Sequence, residues 1–296
     1  MLDELNDLHG LGGELRFSFG EGEQIRAMIA NDLATAEVYL HGAHVTAFEP
    51  NRTRPVLWVS ELAEFRNGKA IRGGIPVCWP WFSGHPSDSS KPAHGFARDR
   101  NWSVKQTSHL DDGWTQVVLQ LESDEATMAL WPHAFHLELE ILVGEQLQLN
   151  LTAQNPSDQP MIAGGALHTY FDVSSIDQVT VDGLDQTKYL DQLDGLVKPQ
   201  AGPVSFDREV DRVYLGKPGP MKIVDPGFGE NAVVASQGSA STVIWNPWID
   251  KSQRLGDYPN DGYKTMICVE TANAFDDSRS IEPGKSHTLS QTIALI

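Results

Sequence analysis

Apolar and polar residues alternate along much of this chain, most clearly over residues 135–153 (FHLELEILVGEQLQLNLTA). Phe135, Leu137, Leu139, Ile141 and Val143 occupy every second position, and Leu147, Leu149, Leu151 and Ala153 resume the rhythm. Successive side chains of a strand face opposite sides of its sheet, so a period of two marks a strand buried on one face. The two runs meet at Gly144-Glu145, a natural turn, which predicts an antiparallel hairpin. Further strands are predicted over 24–29, 36–40, 45–48, 115–122, 178–181, 242–245, 265–270 and 287–293.

Helical signals are weak. Residues 60–65 suffice for a turn or two, and no segment sustains a long 3.6-residue period with caps. Pro and Gly punctuate the chain throughout, without a Ser/Gly-rich linker or a fixed-period repeat. These patterns predict an all-β protein built as one large antiparallel β-sandwich. The polar, Pro- and Gly-containing stretch 185–220 reads as long loops on one end or face.

Composition narrows the choice of partners. The chain of 296 residues is 40% hydrophobic, enough for a sizeable core, and 22 Lys and Arg against 40 Asp and Glu leave a formal charge of −18. Nucleic acids and anionic membranes are attracted by basic patches, so neither is expected as a partner. Two cysteines far apart, Cys78 and Cys268, make no disulfide framework and suit a reducing compartment. The N-terminus lacks the basic start and apolar core of a signal peptide, and no apolar run approaches membrane-spanning length. A cytoplasmic, soluble chain is expected. No segment reads as a dimerisation helix or an apolar edge, which leans toward a monomer.

Against that acidic background, residues 72–98 (RGGIPVCWPWFSGHPSDSSKPAHGFAR) place Arg72 and Arg98 beside Trp79, Trp81 and Phe82. Guanidinium forks bind phosphate or carboxylate oxygens in pairs, and aromatic rings cover the apolar faces of sugars. The same residues would serve equally as core aromatics and surface ion pairs, and the segment alone leaves both readings open. His168 lies in an apolar context (ALHTYFDV), where a histidine is most often a hydrogen-bonded core residue. Glu270 follows Met266, Ile267, Cys268 and Val269 at the end of a buried-looking strand. A carboxylate there must be paired or raised in pKa, which points to acid–base work. Asp211, in REVDRVY, reads as a loop ion pair or as an acceptor for substrate hydroxyls. Cys78, His85, His94 and His168 match no metal-ligand spacing, so no metal site is expected. The glycine clusters lack the strand–turn–helix context of nucleotide loops, and no serine sits in a nucleophile elbow.

Taken together, RGGIPVCWPWF, AHGFAR, ALHTYF, EVDRVY, the run DYPNDGYKTMICVET and the closing LSQTIALI resemble the hexose-6-phosphate mutarotases, or glucose-6-phosphate 1-epimerases, of the aldose 1-epimerase group. The likeness covers residues 20–296 as a single domain and leaves 1–19 as an N-terminal extension. It implies a galactose-mutarotase-like sandwich with a site on one sheet's face and no cofactor. By motif position it implies His168 as the acid toward the ring oxygen and Glu270 as the base toward the anomeric hydroxyl. It makes His94 and Asp211 contacts to substrate hydroxyls, and Arg72 and Arg98 anchors for the phosphate of a hexose 6-phosphate. The charge of Glu270 and of that phosphate is expected to keep His168 protonated. The chain departs from the pattern at Ala93, where a polar residue is usual, and so lacks the side chain for one substrate hydrogen bond. Lys91, in the 83–92 insertion, reads as part of a solvated loop. Two rival functions stay in view: a mutarotase of neutral aldoses, against which the second arginine argues, and a non-catalytic sugar-phosphate-binding protein, which would need no acid–base pair.

Overall fold

A computed structural model describes residues 2–216 and 219–296; Met1, in the expected extension, and Lys217 and Pro218, in the stretch expected to loop, lie outside the described residues. Two eight-stranded sheets face one another, and every pairing of named strands is antiparallel. In the first, strands run in the order Leu196–Pro199, Lys188–Asp191, Val210–Leu215, Ser241–Asn246, Met266–Asn273, Gly165–Leu167 and Val77–Cys78, with Tyr170–Asp172 pairing further along Met266–Asn273. The second runs Thr180–Asp182, Met221–Val224, Ala232–Gln237, Ser286–Leu295, Leu147–Gln154, His136–Val143, Thr115–Glu122 and Ser103–His109. A four-stranded meander, Leu15–Phe19, Ile25–Ala30, Ala34–Tyr39 and His44–Pro50, packs its buried side chains into the same core.

The alternation found in the sequence is the alternation of burial. Leu137, Leu139, Ile141, Leu147, Leu149 and Leu151 turn inward and pack in one core with Leu167, Ile244, Ile267 and Val269 of the facing sheet. Val143 pairs with Leu147, so the connection is the three residues 144–146. A Cβ at Gly144 would lie 2.3 Å from the ring of Trp114, which explains the glycine. Strand Met266–Asn273 is buried at all eight positions because the core covers one face and the aromatic cluster of Trp58, Tyr170, Trp245 and Tyr258 covers part of the other. A strand covered on both sides reads as a continuous apolar run, which is the form of the sequence before Glu270.

Two expectations are corrected. Residues 60–65 form a single turn, with the Ala63 amide donating to the Ser60 carbonyl at 3.0 Å, and no helix. The stretch read as loops instead holds three strands, Lys188–Asp191, Leu196–Pro199 and Val210–Leu215, at one edge of the first sheet. They are short and broken by Asp and Gly, so their pattern is too brief to register as a period. The helix Leu2–His9 was also not signalled. Asn6 ties it to the first strand, donating to the Phe17 carbonyl at 2.9 Å and accepting from the Phe17 amide at 2.8 Å. No helix among the described residues is long and apolar enough to cross a membrane.

Candidate active site

Register places the two titratable groups together. Leu167 pairs with Thr271 and Tyr170 with Cys268, so His168 falls opposite Glu270 on the neighbouring strand. Opposed residues of an antiparallel pair present their side chains on one face. His168 Nε2 lies 3.4 Å from Glu270 Oε1, and the two residues are 8% and 1% exposed.

Burial pushes the Glu270 carboxyl well above the usual carboxylate range, and the nearby Asp211 adds to it. Burial likewise pushes the His168 imidazole well below its usual value, helped by His94, Arg98 and Arg72. Burial therefore disfavours the charged form of each group. For His168 this works against the expected protonated imidazole, because burial penalises the charge that a neighbouring carboxylate would favour. His168 Nδ1 and Glu270 Oε2 are buried without a hydrogen-bond partner in the protein.

Aromatic rings hold the imidazole. It stacks on Tyr170, with centroids 4.9 Å apart and planes 10° from parallel, and meets Trp245 edge-on at 6.1 Å. The Lys251 ammonium stands 5.7 Å from the centre of the Trp245 ring.

His94 adopts φ +63°, a region non-glycine residues rarely enter, and Gly95 follows at φ +72°. A Cβ at Gly95 would sit 1.9 Å from the Trp79 carbonyl oxygen. The bend turns the His94 ring toward the cleft, where its Nδ1 accepts from the Ser83 amide at 3.3 Å. That leaves the proton of the neutral ring on Nε2, and desolvation, together with Arg98, Arg72 and Lys251, lowers its pKa to about 3. His94 is thus a fixed neutral donor.

Asp211 lies on Val210–Leu215 and accepts from the Gln192 side-chain amide and from Lys251 at 3.3 Å. Lys251 also pairs with Glu209 at 3.0 Å. Burial raises the Asp211 pKa, against the pull of Lys251.

The two arginines differ. Arg72 Nε donates to Asp257 Oδ1 at 3.1 Å and its Nη1 to the Tyr170 hydroxyl at 3.2 Å. Arg98 Nη2 donates only to the Ala93 carbonyl at 2.9 Å, and Arg98 has no ion pair among the described residues.

All six residues singled out in the sequence, Arg72, His94, Arg98, His168, Asp211 and Glu270, line one open cleft of about 320 Å³. A smaller cavity of about 170 Å³, bordered by Lys69 and Asp257, shares Arg72, Arg98 and Tyr170 with it. Lys91 does not line the cleft, and Trp79 and Trp81 are core residues at 3% and 6% exposure. Sequence reasoning missed Tyr170, Gln192, Lys251 and Asp257. Tyr170 had a signal, standing two residues after His168 and hence on the same strand face; the other three come from segments without periodicity. Both cysteines are free and buried. Cys268 lies with His168 and Glu270 in the one cluster of potential metal ligands among the described residues, and burial keeps its thiol protonated.

The antiparallel sandwich has the fold of galactose mutarotase-like proteins, and its cleft holds a carboxyl–imidazole pair beside two arginines and a lysine. The aldose 1-epimerase family model matches residues 26–294. A protein of Escherichia coli K12 named "Putative glucose-6-phosphate 1-epimerase" is 36% identical over 260 residues, spanning 87% of this chain and 86% of its own. One of the same name from Cenchrus ciliaris is 34% identical over 262 residues, spanning 84% and 78%. The crystal structure of a "putative mutarotase (YeaD)" from Salmonella typhimurium superposes with a TM-score of 0.90 at 32% identity, covering 100% of this chain and 99% of that one. The chain belongs to the aldose 1-epimerase family.

Proposed function

We propose that this protein interconverts the α and β anomers of hexose 6-phosphates, most readily glucose 6-phosphate, without a cofactor. The observation that carries the proposal is the His168–Glu270 pair, 3.4 Å apart, in the cleft that also presents Arg72 and Arg98.

In ring opening, Glu270 as carboxylate removes the proton of the anomeric hydroxyl while His168 as imidazolium gives one to the ring oxygen. The C1–O5 bond breaks and C1 becomes an aldehyde. The pair is left as a protonated carboxyl and a neutral imidazole, the form that burial favours. Rotation about C1–C2 turns the other aldehyde face to the O5 hydroxyl. Closure then runs the transfers backward: His168 takes the O5 proton and Glu270 returns one to O1. The pair holds one proton throughout, so the cycle needs no exchange with solvent.

A bound phosphate carries roughly −1.5 to −2 charge near neutral pH. Brought to Arg72 and Arg98, it adds negative charge near His168 and favours the ion-pair form that starts the reaction. Arg72 is already oriented by Asp257 and Tyr170, whereas Arg98 brings a guanidinium with no carboxylate to displace. His94 Nε2–H donates to a substrate oxygen, and Asp211 accepts from a hydroxyl. The reading includes a cytoplasmic monomer, which light scattering coupled to gel filtration tests for the oligomeric part.

Magnetisation-transfer NMR of α and β glucose 6-phosphate tests the activity directly. Wild-type protein accelerates exchange, and Glu270→Gln and His168→Asn each reduce the rate by about 10²–10⁴-fold, the usual contribution of a positioned acid or base. Wild-type exchange in both folded variants refutes the assignment. A kcat/KM for free glucose equal to or above that for glucose 6-phosphate would make the protein a neutral-aldose mutarotase instead.

A further inference from the structure

Behind the catalytic pair, in the otherwise apolar interior between the sheets, lies a chain of buried polar side chains. Strand Ser286–Leu295 turns Leu289, Gln291 and Ile293 inward, so Gln291 sits in a row otherwise apolar and pairs with Leu149 across the sheet. It is 0% exposed. Its Oε1 accepts from the Thr169 hydroxyl at 2.6 Å, and its Nε2 donates to the Thr271 hydroxyl oxygen at 3.2 Å. The Thr271 hydroxyl is also 2.7 Å from that of Ser236 on the strand beside Gln291. Thr169 and Thr271 are both fully buried.

Thr169 follows His168 in sequence, and Thr271 follows Glu270. In each strand the alternation that sends the catalytic side chain to the cleft sends its threonine into the sandwich. One glutamine amide therefore holds the rear of both catalytic strands. The strand carrying His168 needs such a restraint. Its ladder is interrupted at residues 168–169, where the Thr169 amide turns back to the Leu167 carbonyl at 3.0 Å instead of bonding across the sheet. Backbone bonds still reach it from either side, from the His168 amide to the Pro76 carbonyl at 3.0 Å and from the Val269 amide to the Thr169 carbonyl at 3.2 Å. Neither sets the rotation of the residue pair about the strand axis.

We propose that Gln291, acting through Thr169 and Thr271, is a positioning residue that sets the separation of His168 and Glu270. The proposal rests on the reading of those two as the acid–base pair. Gln291 touches no substrate and transfers no proton. A fixed fork between two hydroxyls suits this role because an amide offers an acceptor and a donor at one end of one side chain, whereas a leucine at the same place would pack without direction. Full satisfaction of such a buried network specifies one arrangement of the strands that bear it.

The test is a variant in which the glutamine and both threonines become apolar, Thr169→Val with Thr271→Val and Gln291→Met, so that of the network only the half-buried Ser236 hydroxyl remains. It is expected to retain a melting temperature near wild type and a KM for glucose 6-phosphate within twofold. Its kcat is expected to fall about 10–100-fold, the order of loss that an ångström of misplacement brings. In its crystal structure the His168 Nε2 to Glu270 Oε1 distance is expected to change by half an ångström or more. A single exchange, Thr169→Ser, keeps the hydroxyl and is expected to keep kcat within threefold, whereas Thr169→Val alone loses it; this pair serves if the triple variant does not fold. Equal kcat for Thr169→Ser and Thr169→Val, or an unchanged pair distance in the triple variant, overturns the proposal. The distance is read without any turnover. A wild-type protein inactive on sugars would thus refute the proposed function while the positioning claim stayed separately decidable.

Discussion

Replacing Glu270 by glutamine separates two consequences of its burial. The carboxyl's folded-state pKa is raised, so above its unfolded value near 4.5 the native state keeps a proton that the unfolded chain has released. Folding then loses stability as pH rises, until the folded-state pKa is passed. Glutamine has nearly the same shape and no charge to bury. The variant is therefore expected to melt higher than wild type at pH 7–8, with a smaller gap at pH 4, while anomer exchange falls by about 10²–10⁴-fold. Thermal scans at the two pH values check this, and a lower melting temperature at pH 8 contradicts it. His168 shifts the other way: its lowered pKa places protonation of an already protonated pair well below pH 6.5. With free glucose, which does not titrate, kcat/KM is expected to hold its plateau down through pH 6.5 and to fall only further into the acid range. At Arg98 the expectation concerns binding. Loss of a charge-assisted hydrogen bond of about 1.5–3 kcal/mol corresponds to a roughly 10–150-fold rise in KM for glucose 6-phosphate in Arg98→Ala. The constants for free glucose should stay within threefold, and equal losses on both sugars would detach Arg98 from the phosphate.

At the scale of elements, the site depends on two strands and a bent loop. His168 and Glu270 are cross-strand neighbours, and that they share one face follows from strand register, which the core fixes by burying Leu167, Ile267 and Val269 on the opposite face. The loop carrying His94 depends on Gly95. Gly95→Ala would drive a methyl group into the Trp79 carbonyl at a backbone angle that L-residues avoid. It is expected to cost about 1–3 kcal/mol of stability and to weaken sugar binding together. Unfolding in urea and a KM measurement check the two effects; a variant that melts as wild type with an unchanged KM would show that the bend is not needed. The helix Leu2–His9 is of another kind, since none of its residues lines the cleft. Removing residues 2–13 strips Asn6 from Phe17 and uncovers the first strand, so the melting temperature is expected to fall while kcat stays within twofold. Loss of turnover in a truncated protein that is still folded would give the extension a part in the site.

Over the whole molecule, charge is arranged against its own average. The chain carries −18, yet Arg72, Arg98 and Lys251 converge on the cleft and Lys69 borders the cavity beside it. Raising ionic strength from 0.01 to 0.1 M shortens the screening length from about 30 to about 10 Å. The long-range repulsion of a dianion is then lost sooner than its contact attraction. Over that range kcat/KM for glucose 6-phosphate is expected to rise while that for glucose stays level; a steady fall for the phosphate would mean that the local cations govern the approach as well as the contact.

Local periodicity, and the rarity of certain residues in certain places, make part of this molecule legible in the chain alone. Alternation predicts strands such as Thr115–Glu122 and the hairpin on either side of residues 144–146, because solvent on one face and core on the other impose a period of two. An acid in an apolar run marks Glu270, because burying a carboxylate is expensive enough that the position must be used. The family motifs then pick out Arg72, His94, Arg98, His168 and Asp211. The rest exists only once the sheets are assembled. Strands at 188–191, 196–199 and 210–215 are too short to show a period, and they exist because the sheet edge beside them offers partners. Tyr170, Asp257, Lys251 and Gln192 join the cleft through chain reversals that no local pattern encodes. The opposed pKa shifts of His168 and Glu270 also belong to the fold, because desolvation is a property of what surrounds a group in space. Gln291 looks like an ordinary polar residue in a strand, and only the facing sheet shows that its amide is buried against two threonines, one next to His168 and the other next to Glu270.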